Sequence, residues 1–112
     1  MSETAAEKIA SRLAELWQTS LPTILERMTA LHASRRALTA NPGDQEARDR
    51  GREAAHKLSG VLGIFGLPQG SEIASILEEQ LKSPAPLLPD ELTSLQSRIA
   101  ELDAVIASKS GQ

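Results

Sequence analysis

His56 lies in the stretch AAHKLSGVLGIFG, Ala54 to Gly66, with Gly60 and Gly63 following it at one and two helical turns. Imidazole changes protonation near neutrality, so its neutral, nucleophilic form is available at pH 7. Glycine inside a helix costs about 0.8–1 kcal/mol relative to alanine, so this pair sacrifices roughly 2 kcal/mol of helix propensity. That is a sizeable share of the stability of a small domain. A close-approaching partner explains the sacrifice. Another molecule's reactive group must reach the ring, and side chains at one and two turns' distance would block it.

The element that holds this stretch is read as a helix from about Asp44 to Phe65. At 100° per residue, Ala47, Ala54, Ala55, Leu58, Val61, Leu62 and Phe65 cluster within roughly ±60° of Leu58 and form the core stripe. His56 falls about 160° from its centre, with Gly60, Gly63, Asp49, Arg52 and Glu53 on the same outer side. The glycines therefore leave bare backbone beside an outward imidazole.

The rest of the chain is read as helices too. Ile9, Leu13, Leu16 and Trp17 recur at helical spacing between Thr4 and Thr19. Pro22 interrupts, with Ser20 as a cap, and a second helix runs to about Ala40 on the stripe Leu21, Ile24, Leu25, Met28, Leu31 and Leu38. Asn41–Asp44, NPGD, is a turn that ends in the cap of the next helix. GLPQGS is a second tight connection, with Pro68 opening the following helix. SPAPLLPD is a proline-rich link. Pro89 or Asp90 then starts the last helix, where Leu92, Leu95, Ile99, Leu102 and Ile106 repeat at alternating three and four spacing. Residues after about Lys109 read as a frayed end. The expected fold is all-α, an antiparallel four-helix bundle with an additional short or kinked N-terminal helix. Residues 1–112 are read as a single domain.

Composition narrows the function classes. Among 112 residues, 40% are apolar, the aromatics are Trp17 and Phe65, and the net charge is −3. There is no cysteine, so no disulfide, thiolate metal site or thiol nucleophile. No run of about 18 apolar residues offers a membrane span. The polar start MSETAAEKIA has no secretory apolar core. The overall charge gives no nucleic-acid footprint. A cytoplasmic protein fits, with no membrane and no nucleic acid among its partners.

AHKLSGVLGIFGL followed by SEIASILE resembles the histidine phosphotransfer (HPt) domain of bacterial two-component phosphorelays. His56, Leu58, Gly60, Gly63, Gly66 and Leu77-Glu78 fall in register with that family's pattern. The resemblance implies that Nε2 of His56 accepts a phosphoryl group from a receiver-domain phospho-aspartate and passes it to another receiver. The implied partners are receiver domains of response regulators or hybrid histidine kinases. The implied role is that of a phosphocarrier and not an enzyme, working as a monomer with no cofactor and no metal of its own. No Gly-x-x-x-x-Gly-Lys-Ser/Thr loop for a nucleotide is present. The family usually has lysine three residues after the histidine, where this chain has Ser59. Lys57 does not replace it, because one residue along from His56 the side chain is turned by about 100°. Arg52, one turn before His56, offers positive charge instead.

Glu78 is twelve residues beyond Gly66 and His56 ten before it, so on antiparallel helices, at about 1.5 Å per residue, they lie at nearly one height. A carboxylate there would accept Nδ1–H and fix the tautomer that frees Nε2. Lys82, one turn on, would line the docking surface with Arg52, Lys57, Ser59, Gly60 and Gly63.

Three rivals remain. Glu53-Ala-Ala-His56 is a Glu-x-x-His pair of the di-iron type, but it points outward and His32 is preceded by Thr29 at the matching place. His32 reads as a helix-edge residue without a role. A non-phosphorylated helical-bundle adaptor or scaffold would keep the packing and have no use for His56. A nucleic-acid role would rest on Arg35-Arg36 and the run Arg48, Arg50 and Arg52, diluted by acidic neighbours.

Overall fold

A computed structural model describes residues 4–111. The first three residues of the acidic start, and Gln112 at the end of the tail read as frayed, lie outside the described residues. Four helices follow in order: α1 (Ala5–Ala40), α2 (Gln45–Ile64), α3 (Pro68–Gln80) and α4 (Pro89–Lys109). Their starts have visible causes. Thr4 Oγ1 accepts from the Glu7 N–H at 3.1 Å and Asp44 Oδ1 from the Ala47 N–H at 3.0 Å. Pro68 and Pro89 occupy first turns, where their missing N–H has no intrahelical partner to lose. Gly66, at φ 71°, supplies the left-handed residue that turns the chain from α2 into α3.

The helices pack as neighbours around a ring, α1 on α2, α2 on α3, α3 on α4 and α4 on α1. One core runs through all four, including Ile24, Leu31, Leu58, Leu62, Leu77, Leu95 and Leu102. Burying one such side chain contributes about 1.5–3 kcal/mol. Trp17 and Phe65 close one end edge to face, with centroids 5.2 Å apart and planes at 80°. The core stripe of α2 is as the periodicity predicts, except that Val61 is only half-buried.

The N-terminal segment is not a separate helix. α1 runs unbroken for 36 residues through Pro22, and Ser20 caps nothing. Trp17, Ile24 and Met28 are buried on either side of the proline, so one apolar stripe continues across it. Pro22 and Gln18 are both exposed. The carbonyl that loses its partner to the proline therefore belongs to the exposed side of the helix, where water can satisfy it. The uninterrupted helix also carries α1 beyond the bundle. At 1.5 Å per residue it is about 54 Å long against about 30 Å for α2. The molecule measures 59 by 22 by 20 Å. Ile9, Leu13 and Leu16 stay exposed on the protruding turns.

Two buried polar side chains fix the inter-helix geometry. Ser34 Oγ donates to the Ala47 carbonyl at 2.7 Å, joining α1 to α2. Gly51 sits at that crossing, where a Cβ would collide with the Ser34 side chain. Arg48 is 1% exposed, and its Nη2 donates to the Ala85 carbonyl at 2.7 Å. It thus ties the α3–α4 link to the bundle and leaves the basic run with Arg50 and Arg52 alone at the surface. His32 Nε2 is 2.8 Å from Asp103 Oδ2, which pins α1 to α4. It has a structural partner that the sequence reading did not anticipate.

Candidate functional site

α2 presents His56 on the face opposite its buried stripe, and the side chain is 72% exposed. The stripe fixes this orientation. Ala55 and Leu58 are fully buried, so the residues between them cannot turn inward without breaking the core. Past the ring, Gly60 is exposed, and an added Cβ would meet nothing within 4 Å. Gly63 is also exposed, and a Cβ there would make only ordinary contact with Ser71 Oγ at 3.5 Å. The backbone beside the imidazole is therefore bare for two turns.

α3 brings Glu78 to the ring. Its carboxylate oxygens lie 3.1 and 3.2 Å from Nδ1 of His56. The carboxylate is 21% exposed, so it is partly sheltered while the ring is not. With Nδ1 protonated, that hydrogen is donated to Glu78, and Nε2 carries the free lone pair toward solvent.

The other sequence-derived residues surround this pair. Arg52 lies one turn before His56, loosely held by Asp49 at 3.9 Å. Lys57 is bonded to Glu53 at 2.9 Å and keeps the Glu53 carboxyl below the usual carboxylate range, first by that hydrogen bond and then by its charge. Lys82 is paired with Glu79 at 2.7 Å, and this hydrogen bond and attraction hold its ammonium above the ordinary lysine range. Asp49, Arg52, Glu53, His56 and Glu78 line an open hollow beside the ring. Ser59 is turned to α3, where its Oγ is 2.7 Å from Ser75 Oγ. Ser71 Oγ donates to the Ser59 carbonyl at 2.8 Å. Ser71 and Ser75 were not singled out from the sequence. The signal was available once Glu78 was set opposite His56, because an antiparallel neighbour must then bring Ser75 to Ser59.

Chemically, the arrangement offers one exposed nucleophilic nitrogen, a carboxylate that orients it, flanking cations and an unobstructed approach. Among the described residues no three His, Asp or Glu side chains converge to hold a metal ion. No helix among them is long and apolar enough to cross a membrane.

The model of the Hpt domain family matches residues 12–105. Protein RcaC of Microchaete diplosiphon is 36% identical over 94 residues, which covers 78% of this chain and 14% of RcaC. The chain thus spans a small part of that relative's length. No solved structure gives a significant match.

Proposed function

We propose, starting from the fact that this chain belongs to the Hpt domain family, that His56 is its phosphoryl acceptor. The family's activity is histidine phosphotransfer in a phosphorelay. Nε2 attacks the phosphorus of a receiver-domain phospho-aspartate. The new N–P bond forms as the P–O bond to the aspartyl carboxylate breaks, and that carboxylate leaves. Nδ1 keeps its hydrogen throughout, and the positive charge that develops on the ring is met by Glu78. The reverse displacement onto a second receiver's aspartate restores the free imidazole.

The observation that carries this reading is the exposed ring with its Nδ1 at 3.1 Å from Glu78 and bare backbone at Gly60. A displacement at phosphorus requires the nucleophile within about 3–3.5 Å and in line. Only an uncrowded ring with a fixed tautomer meets both conditions. The receiver lands on the face that carries Arg52, Lys57, Ser59, Gly60, Gly63 and Lys82. Receivers of response regulators or hybrid histidine kinases are the partners. Residues 1–112 act as one phosphocarrier domain, in the cytoplasm, as a monomer without kinase activity of its own.

The test is incubation with a phosphorylated, radiolabelled receiver domain. Acid-labile label is expected on the wild-type chain and none on His56→Gln. A chain that binds the receiver equally well with and without His56, and never takes label, is an adaptor, and that result refutes the proposal.

A further inference from the structure

Three contacts across the α2–α3 seam share one antiparallel register. His56 meets Glu78, Ser59 meets Ser75 at 2.7 Å, and a Cβ on Gly63 would touch Ser71. Each step advances about one turn along α2 and retreats about one turn along α3. One step in the other direction leads from Arg52 on α2 to Lys82, in the turn two residues beyond the end of α3. The electrostatics agree with that placement. The Lys82 ammonium is raised chiefly by Glu79, with Glu78 adding to the effect and Arg52 opposing it. Arg52 and Lys82 therefore feel each other across the seam, one turn from the imidazole.

Two like charges that face each other across this seam repel, and an anion between them relieves the repulsion. The carboxylates nearby are already engaged. Glu78 is on Nδ1, Glu53 is on Lys57, and Glu79 is on Lys82. Asp49 holds Arg52 only at 3.9 Å. Arg52 and Lys82 are 47% and 48% exposed, so both side chains are free to swing across one turn, about 5.4 Å.

We propose that Arg52 and Lys82 form a two-cation clamp on the oxygens of a phosphoryl group carried by Nε2 of His56, with the Ser59–Ser75 hydroxyl pair closing the opposite side. The clamp acts on the group while the protein is alone, before any receiver arrives. It rests on His56 being the phosphoryl acceptor.

The test therefore omits the receiver. The full chain is phosphorylated with phosphoramidate, whose P–N bond breaks and whose nitrogen leaves as ammonia while phosphorus bonds to Nε2. The 31P resonance of the attached group is then followed against pH. Nearby cations favour the phosphoryl dianion. The double variant Arg52→Gln with Lys82→Gln is expected to move the ionisation midpoint upward, a loss of about fivefold in preference for the dianion, as for two exposed charge pairs. The exchange Arg52→Lys with Lys82→Arg keeps both charges and the wild-type midpoint. Arg50→Gln, on α2 and paired with Glu46, leaves the midpoint unmoved. An unchanged midpoint in the double glutamine variant overturns the clamp and leaves Arg52 and Lys82 as partner-facing charges only. A wild-type chain that takes no label on His56 overturns the acceptor assignment itself, a failure distinct from the first.

Discussion

Gly60 separates a structural glycine from a functional one. A Cβ placed there meets nothing within 4 Å, and the residue lies inside α2 with ordinary helical geometry. Gly60→Ala should therefore stabilise the fold by about 0.8–1 kcal/mol, the difference in helix propensity. That corresponds to a rise in Tm of roughly 4 °C for a domain of this size. Gly60→Gln keeps most of this gain and adds a side chain beside the ring. Displacing an approaching reactive group by an ångström costs on the order of 100-fold, so transfer from a phospho-aspartyl donor should fall by at least about tenfold. The assays are urea unfolding followed by helical circular dichroism, and single-turnover transfer from a labelled receiver. Stability and transfer should move in opposite directions. A Gly60→Gln protein that is more stable and transfers at the wild-type rate would refute the claim that the bare backbone is an approach route. A destabilised Gly60→Ala protein would refute the geometry itself.

Gly51→Ala is expected to lower the urea midpoint despite its better helix propensity. Its Cβ would collide with Ser34, and overpacking costs about 1–3 kcal/mol. A raised midpoint would contradict the close α1–α2 crossing. Pro22→Ala should stabilise the protein by about 1–3 kcal/mol, since it restores a hydrogen bond within a helix that is already continuous. A loss of stability would show that α1 breaks there. Lys57→Met should raise the Glu53 carboxyl toward the ordinary range, measured by NMR titration. In the wild type the lowered value means that the pair contributes above the unfolded-state midpoint and is lost as pH falls through the folded one. The variant should lose that part of the acid response, and an unmoved Glu53 midpoint would contradict the ion pair.

Much of the site was legible because it depends on local period. The burial of Ala55 and Leu58 dictates where His56 points, and counting ten residues back and twelve forward from Gly66 places Glu78 at its height. The helix starts marked by Asp44, Pro68 and Pro89 were equally readable, because each residue acts within one turn of itself. What escaped depends on contacts distant in sequence. Pro22 looks like a break until Trp17, Ile24 and Met28 are seen to bury one stripe across it. Arg48 reads as one of three surface arginines until the Ala85 carbonyl, 37 residues away, is found to accept from it. The same holds for His32, whose partner Asp103 lies on α4, and for Gly51, whose need for a missing side chain is set by Ser34. Ser59 and Ser75 fall between these cases, since a single correct pairing of α2 with α3 would have revealed them.

The central claim concerns one atom, Nε2 of His56, freed by the hold of Glu78 on Nδ1. The most direct measurement is 31P–15N correlation NMR on the chain phosphorylated by a receiver domain, with the histidine rings labelled. Phosphorus coupled to Nε2 of His56 is the predicted result. Coupling to Nδ1, or label on His32, would contradict it.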